Sequence, residues 1–594
     1  MNQETPTLNS RWIDSGRVLS GAIHYFRIHP DLWLDRLQRL AAMGATHVET
    51  YVPWNFHERE KGSFEFDGWR DLPRFIRLAE HVGLAVIVRP GPFICAEWDN
   101  GGLPTWLLYN GPIALRTSDP NFLAHVDAWF DELIPRLALL QRSQFGPVVA
   151  VQVENEYGSF GSDRDYLEHL RDGLISRGIE VPLFTSDGPT DLMLDAGTLP
   201  DLDVTANFGS GADEAVKTLS RRRPGSPFMC AEFWGGWFDH WGREHHTRPA
   251  DDMIAAIEPI LAAGGSINIY MAHGGTSFGT WPGANIDQGV YLPTVTSYDS
   301  DAPIGEAGEL TGKFWKLRHL FGSVTGAELP TPPPLPRRQP PRSTLVSPVG
   351  PLLPVLKSMC ADVRRSPVPL TQEDLHQASG LTLYEADLPL PEGASVLRIH
   401  EPRDRAWVFL DDTLVHRVDR NTPDPGLPLE GVARDVHLAV LVENEGRVNF
   451  GRHLGESKGL LGGASIHAHG VERLVHGWTQ RPIDLQEITE FPEVPNPASA
   501  QEPGLFRTRL RCSGPADAFL ALPDWEKAYV WLNGFLLGRI DARGPQRTLY
   551  APGPLWRVGS NTIEVLSLGK AGAEIQVLDR PDLGGPTPID GAER

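Results

Sequence analysis

Cysteine is scarce in this chain of 594 residues: Cys95, Cys230, Cys360 and Cys512 are all it has. Their separations are too wide for a zinc knuckle or a disulfide scaffold, so reduced thiols are expected. Basic charge is also short, with 54 Lys and Arg against 76 Asp and Glu and a formal net charge of -22. Nucleic acid and anionic membrane surfaces both need a basic face, so neither is an expected partner. A neutral substrate fits better, and much of the acidity serves solubility. No run of about 18 apolar residues occurs, and the N-terminal MNQETPTLNSRWIDSGRV has no basic segment leading into an apolar core. A soluble, cytoplasmic protein is the expectation.

What the chain has in quantity is alternation. Its length suggests about three or four domains. Eight β-branched runs, at 17–25, 47–54, 85–92, 148–156, 182–188, 204–209, 227–234 and 266–275, are separated by amphipathic stretches such as DLWLDRLQRLAAMG, DLPRFIRLAEHVG and RDYLEHLRDGLISRG. Strands alternating with helices whose apolar residues recur at three and four predict repeated βα units, and eight of them predict a TIM barrel over residues 1–328. Residues 329–343 hold PTPPPLPRRQPPRS, a stretch that suits neither helix interior nor central strand and reads as a linker. Beyond it, runs such as LTLYEADLPL, AWVFLDDTLVHRV and AYVWLNGFLLGRI alternate apolar and polar residues between turn formers. That period of two predicts two jelly-roll-like β-sandwiches, placed at 344–500 and 501–594, with strands between 344 and 390 able to join either one.

The sharpest local signal is GPVVAVQVENEYG at 146–158, an apolar run that ends abruptly in Glu154, Asn155 and Glu156. PFMCAEFWGGWFDHWG at 227–242 repeats the design with Glu232 and several aromatic residues. Acidic residues at the C-terminal tip of a buried parallel strand stand over a cleft, and in a barrel all such tips share one face. An isolated acidic strand end is as often a salt bridge or a helix cap. Two of them amid tryptophans favour sugar chemistry, because glycoside cleavage needs one carboxyl to protonate the leaving oxygen and another to stabilise the anomeric carbon. The letters VENE recur at Glu443 and Glu445. That copy lies in the sandwich region, away from any barrel face, and reads as a strand end whose Glu445→Gln substitution is nearly silent.

These segments, with SGAIHYFRI, ETYVPWNFHE, RPGPFICAEWDNGGLPTWLL, YMAHGGTSFGTWPGAN and SYDSDAP, resemble glycoside hydrolase family 35, the retaining β-galactosidases, in their bacterial intracellular type. The resemblance extends through VENEGRVNFG and AYVWLNGFLLGRI to nearly the whole chain. It implies that Glu156, directly after Asn155, is the acid/base and that Glu232 is the nucleophile. It implies that Asn155 grips the sugar 2-hydroxyl and that Tyr51, Cys95, Ala96, Glu97 and Tyr270 line a galactose pocket, with Tyr270 donating to the nucleophile. Trp234 and Trp237 are the expected aromatic platforms on the leaving-group side, and Asn207 and Tyr298 join the lining. One departure is visible: Ser300 stands where the family commonly has a second tyrosine, so the phenol contact there is lost.

The function implied is an exo-β-galactosidase acting by double displacement on a β-galactoside, with no metal or organic cofactor and with a homodimer left open. Three other readings bear weighing. His240, His245 and His246 with Asp239 and Glu244 match a metal site in number but lack its spacing. A non-catalytic carbohydrate-binding protein would be expected to have lost at least one of Asn155, Glu156 and Glu232. Another exo-β-glycosidase, a β-glucosaminidase or β-glucosidase, uses the same machinery.

Overall fold

A computed structural model of the chain describes residues 17–111, 113–222, 228–360, 362–492 and 502–588. The expected sandwich boundary at 500 and the extreme N-terminal residues lie outside the described residues. Eight parallel strands close into a barrel: β1 Leu19–Ile23, β2 His47–Tyr51, β3 Ala85–Arg89, β4 Val148–Gln152, β5 Leu183–Asp187, β6 Asp203–Phe208, β7 Met229–Trp234 and β8 Ser266–His273. Each is followed by a helix, the eight running from Trp33–Ala42 to Gly312–Thr325. Local chemistry sets the helix limits. Asp71 and Asp163 cap their helices by accepting from the amides of Arg74 and Tyr166, satisfying donors that helix geometry leaves open.

The interior of the barrel is split by polarity. Ile87, Val149, Ala150, Phe184, Met229 and Ala231 form an apolar plug. Near the C-terminal ends of the strands the buried residues turn polar: Glu49, Arg89, Gln152, Ser186, Asn207, Glu232 and Asn268. Buried polar groups persist only where they bond to one another, so this layer is built as a network.

Downstream lie two β-sandwiches, but the division at 344 drawn from the sequence is corrected. Strands Arg342–Leu345 and Ser347–Pro351 pair with Glu574–Leu578 and Gly504–Cys512, members of the C-terminal sandwich. The first sandwich, strands Arg364–Ser366 through Trp478–Ile483, is therefore inserted into the second. A period of two identifies a strand but not its partner, which is why the sequence left the strands from 344 to 390 open between the two sandwiches. The helix Leu352–Met359 follows them and packs with Trp407, Tyr529 and Trp531 in a core shared by both sandwiches.

A buried ion cluster joins the sandwiches as well. Lys527 Nζ lies 2.7 Å from Glu443 Oε2 and also bonds Glu445, Tyr529 donates to Glu443 at 2.7 Å, and Arg543 reaches Glu445 at 2.6 Å. Lys527, Glu443 and Glu445 are all buried. Glu443 ends its strand, Arg434–Glu443, as the sequence suggested. Glu445, however, is a hub of ion pairs and not a silent position. Lys527→Met leaves two buried carboxylates short of a cation, and removing one partner of a buried pair costs about 3–5 kcal/mol. A fall of several degrees in the thermal midpoint, followed by calorimetry, is the expected outcome; an unchanged midpoint contradicts it.

Candidate active site

Glu232 lies within β7, and its carboxylate is held from three directions. Tyr51, the last residue of β2, donates to Oε1 at 2.6 Å. Arg89, the last residue of β3, donates to the same oxygen at 2.5 Å. The indole of Trp234 donates to Oε2 at 3.2 Å. Arg89 also donates to Asn155 Oδ1 at 2.7 Å and bonds Gln152. Its guanidinium lies 4.1 Å from the centre of the Tyr51 ring and 3.8 Å from Glu49 Oε1. One buried cation thus serves three strand tips.

Glu156 was expected to close β4, but the strand ends at Gln152. Glu154 and Glu156 adopt left-handed backbone, φ 57° and 47°, and Glu156 begins the short turn Tyr157–Ser159. Left-handed residues other than glycine cost free energy and persist where their surroundings over-determine them. Here the Glu156 amide bonds Ser186 O at 3.1 Å, and Gly158 approaches so closely that a Cβ would lie 1.9 Å from Met193 O. Glu154 turns away from the cleft and forms a two-pronged pair with Arg116, both bonds 2.8 Å. The Glu156 carboxyl accepts from Asn207 Nδ2 at 3.0 Å. Burial and then the nearby charge of Glu232 push its pKa up to about 7.

The cleft between these groups is a cavity of about 270 Å³ lined by Tyr51, Cys95, Ala96, Glu97, Asn155, Glu156, Glu232, Trp234, Trp237, Tyr270 and Tyr298. The residues proposed for the site from sequence lie on its wall except Asn207, which is buried behind Glu156 and bonds its carboxyl. Cys95, Ala96 and Glu97 are successive left-handed residues, φ 57°, 55° and 49°. Arg27 donates to Ala96 O at 2.5 Å and stacks 3.7 Å from the Tyr298 ring centre. Tyr298 bonds the Glu97 carboxyl, which burial pushes up to about 7. Ser300 also lines the cavity. It is held against the GlyGly turn after β7, where a Cβ on Gly236 would fall 1.7 Å from Ser300 O.

Three expectations change. The tyrosine that donates to Glu232 is Tyr51, whereas the Tyr270 hydroxyl pairs with that of Tyr298 at 3.4 Å. The sandwich copy of VENE runs on into the cleft: Val448 bridges to Ala284, Asn449 donates toward Glu97 Oε1 at 3.5 Å, and Phe450 lines the cavity. The sequence treated this loop as remote because a sandwich strand carries no sign of where its terminal loop is sent. Arg89 was missed too, although its strand shows the signature used for Glu156, an apolar run ending in a polar residue.

The histidines have other partners. Asp239 receives His245 at 2.6 Å and His246 at 3.0 Å, and His240 bonds Asn285 at 3.0 Å. Among the described residues no group of three or more His, Cys, Asp or Glu is arranged to hold a metal ion. Nor, among them, is any helix long and apolar enough to cross a membrane. Trp98 and Trp281 stack on each other, ring centres 5.0 Å apart, away from the cavity wall.

Facing carboxyls at the C-terminal mouth of a (β/α)8 barrel, amid tyrosines and tryptophans, define a glycoside hydrolase. Comparison with known proteins agrees: residues 13–324 match the glycosyl hydrolases family 35, 369–484 the first all-beta domain of beta-galactosidase, and 503–561 its galactose-binding domain. The chain belongs to glycosyl hydrolases family 35. It is 38% identical over 578 residues to beta-galactosidase-1-like protein 3 of Homo sapiens, covering 95% of this chain and 86% of that protein. It is 38% identical to the beta-galactosidase of Mus musculus, covering 93% and 89%. With the beta-galactosidase of Homo sapiens the identity is 37%, covering 97% and 89%.

Arg89→Met leaves Glu49 and Glu232 without the cation between them and frees Tyr51 and Asn155 to reorient. Losing a buried charge-assisted bond of this kind is expected to lower kcat/KM by about 100-fold or more. Initial rates on an aryl β-galactoside, with circular dichroism to confirm folding, check this. A loss under tenfold removes Arg89 from the machinery.

Proposed function

We propose that the protein is a retaining exo-β-galactosidase that releases terminal non-reducing β-D-galactosyl residues by double displacement. The observation that carries this reading is the opposite treatment of two carboxyls in one cavity. Glu232 is held by two donors, the Arg89 guanidinium and the Tyr51 hydroxyl, which fix it in place as a nucleophile. Glu156 has one neutral donor and a carboxylate for a neighbour, and its pKa is raised to about 7. Double displacement needs a nucleophile held in place by donors and a general acid that holds its proton near neutral pH.

In the first step a Glu232 oxygen attacks the anomeric carbon, and the bond to the leaving oxygen breaks as Glu156 gives that oxygen its proton. Oε1 of Glu232 is tied by two short bonds, so Oε2, with one longer bond from Trp234, is the freer to attack. In the second step Glu156, now a carboxylate, takes a proton from water. The water oxygen bonds the anomeric carbon, and Glu232 leaves. Asn155 accepts from Arg89 and Gln152 on Oδ1 and gives one amide hydrogen to Ile94 O at 3.3 Å. Its other amide hydrogen is free for the sugar 2-hydroxyl. The cavity, about 270 Å³, is small among ligand sites and suits one sugar ring better than a chain, which supports exo action. Family membership and the names of the relatives support galactose as that sugar.

The test separates the two glutamates. Glu156→Ala should still show a burst of phenol from a dinitrophenyl galactoside, which leaves without acid help, and added azide should speed turnover and give β-galactosyl azide. Glu232→Ala should show neither. In the unaltered enzyme β-galactose should appear first by proton NMR. Because Glu156 must enter protonated, kcat/KM on a poor leaving group should fall as pH rises through about 7. α-Galactose as first product, or the azide pattern in the Glu232 variant, overturns the assignment.

A further inference from the structure

Behind Glu156 stand two buried polar residues that the reaction as written does not use. Ser186 on β5 and Asn207 on β6 are both buried. The Ser186 hydroxyl donates to Asn207 Oδ1 at 2.6 Å, and Asn207 Nδ2 donates to Glu156 Oε1 at 3.0 Å. The carbonyl of the same Ser186 takes the Glu156 amide at 3.1 Å. Ser186 therefore pins Glu156 twice, once through the backbone and once through Asn207.

The direction of these bonds carries the argument. A hydroxyl donating to Oδ1 forces the amide of Asn207 to present its N–H groups to Glu156. Oε1 is then occupied by a donor in both protonation states. Oε2 takes no hydrogen bond from the described residues, and the residue lines the cavity. We propose that Ser186 and Asn207 form a positioning relay that keeps the Glu156 proton on Oε2, the oxygen left to face the scissile bond, and steadies the carboxylate once that proton is given up. The proposal rests on the reading of Glu156 as acid/base. Neither relay residue touches the reacting atoms; both act through Glu156.

Other charged groups face the same carboxyl. Glu232 and Glu97 oppose its ionisation and Arg89 favours it. Asp187 on β5, Tyr51 on β2 and the Cys95 thiol all lie within reach of its charge. Against that acidic background a neutral donor at Oε1 favours the ionised form. Removing it should raise the pKa of Glu156. The alkaline limb of kcat/KM should then move to higher pH, while general-base action in the second step weakens at neutral pH.

The experiment compares Asn207→Ala and Ser186→Ala with the unaltered enzyme, using an aryl galactoside with a poor leaving group and a dinitrophenyl galactoside. The expected result for Asn207→Ala is an alkaline limb about one pH unit higher. With it should come a loss of tenfold or more in kcat/KM on the poor leaving group, against less than threefold on the activated one. Ser186→Ala, which spares Asn207 but releases its orientation, should give a smaller shift in the same direction. An unmoved limb with equal losses on both substrates overturns the relay, since merely structural damage has that pattern. Glu156→Gln run alongside keeps the two ideas apart. If it retains turnover on the poor leaving group, the acid/base reading fails; if it is inactive while the Asn207 limb stays put, only the relay fails.

Discussion

The cleft depends on one buried guanidinium. Arg89, at the tip of β3, contacts groups from β2, β4 and β7: Glu49 and Tyr51, Gln152 and the Asn155 that follows it, and Glu232. Burying a cation is costly unless it is paired and every donor is met, and here the partners are carboxylates and amide oxygens at fixed strand tips. The register of the barrel strands puts them there. A one-residue slip in any of these strands turns its inward side chain outward and strands the charge. Fold and site thus constrain each other. The guanidinium is satisfied only in the closed barrel, and Glu232 keeps its orientation only beside the guanidinium.

A second constraint comes from outside the barrel. The sandwich inserted into the C-terminal domain sends Val448, Asn449 and Phe450 across to the barrel mouth, where Val448 bridges to Ala284 and Phe450 joins the cavity wall. That arm is anchored at its base by the Lys527, Glu443 and Glu445 cluster. A further cluster lies alongside, with Lys458 2.7 Å from Asp404 and Tyr291 donating to Asp404 at 2.8 Å. Such buried pairs add little stability over an apolar core, but they penalise any other docking arrangement. The sandwiches therefore hold the loop that closes one side of the sugar site.

Much of this was legible in the sequence. The eight strands and the helices between them follow from period and composition, because a parallel sheet buried on both faces must read as short β-branched runs. Glu156 and Glu232 stood out because a polar residue ending such a run has few structural uses. Three things stayed hidden, each for a physical reason. Arg89 ends its strand with a residue type that usually signals a surface charge. Pairing partners of sandwich strands are set by long-range topology, so residues 342–351 could not be placed. The roles of Tyr51 and Tyr270 differ only in where two rings on the strands either side of β1 point, and side-chain direction at a bulged register is not written in local pattern.

The charge balance of the cleft explains why its acids behave differently. Glu49, Glu97, Glu156 and Glu232 face two guanidiniums, Arg27 and Arg89. Four carboxylates in low dielectric cannot all ionise near neutral pH against two cations. Arg27 spends its donors on Ser277, His24 and Ala96 O, shaping the loop that carries Glu97 without pairing directly to it. Arg89 gives its shortest carboxylate contact to Glu232. Glu49, Glu97 and Glu156 are each left with a pKa raised to about 7. The pairing is set by geometry, since Glu232 at 2.5 Å is much closer to the guanidinium than Glu49 at 3.8 Å. Glu156 is held up by burial first and by the carboxylate of Glu232 opposite it second, so its raised pKa is a property of the whole cleft and not of a single neighbour.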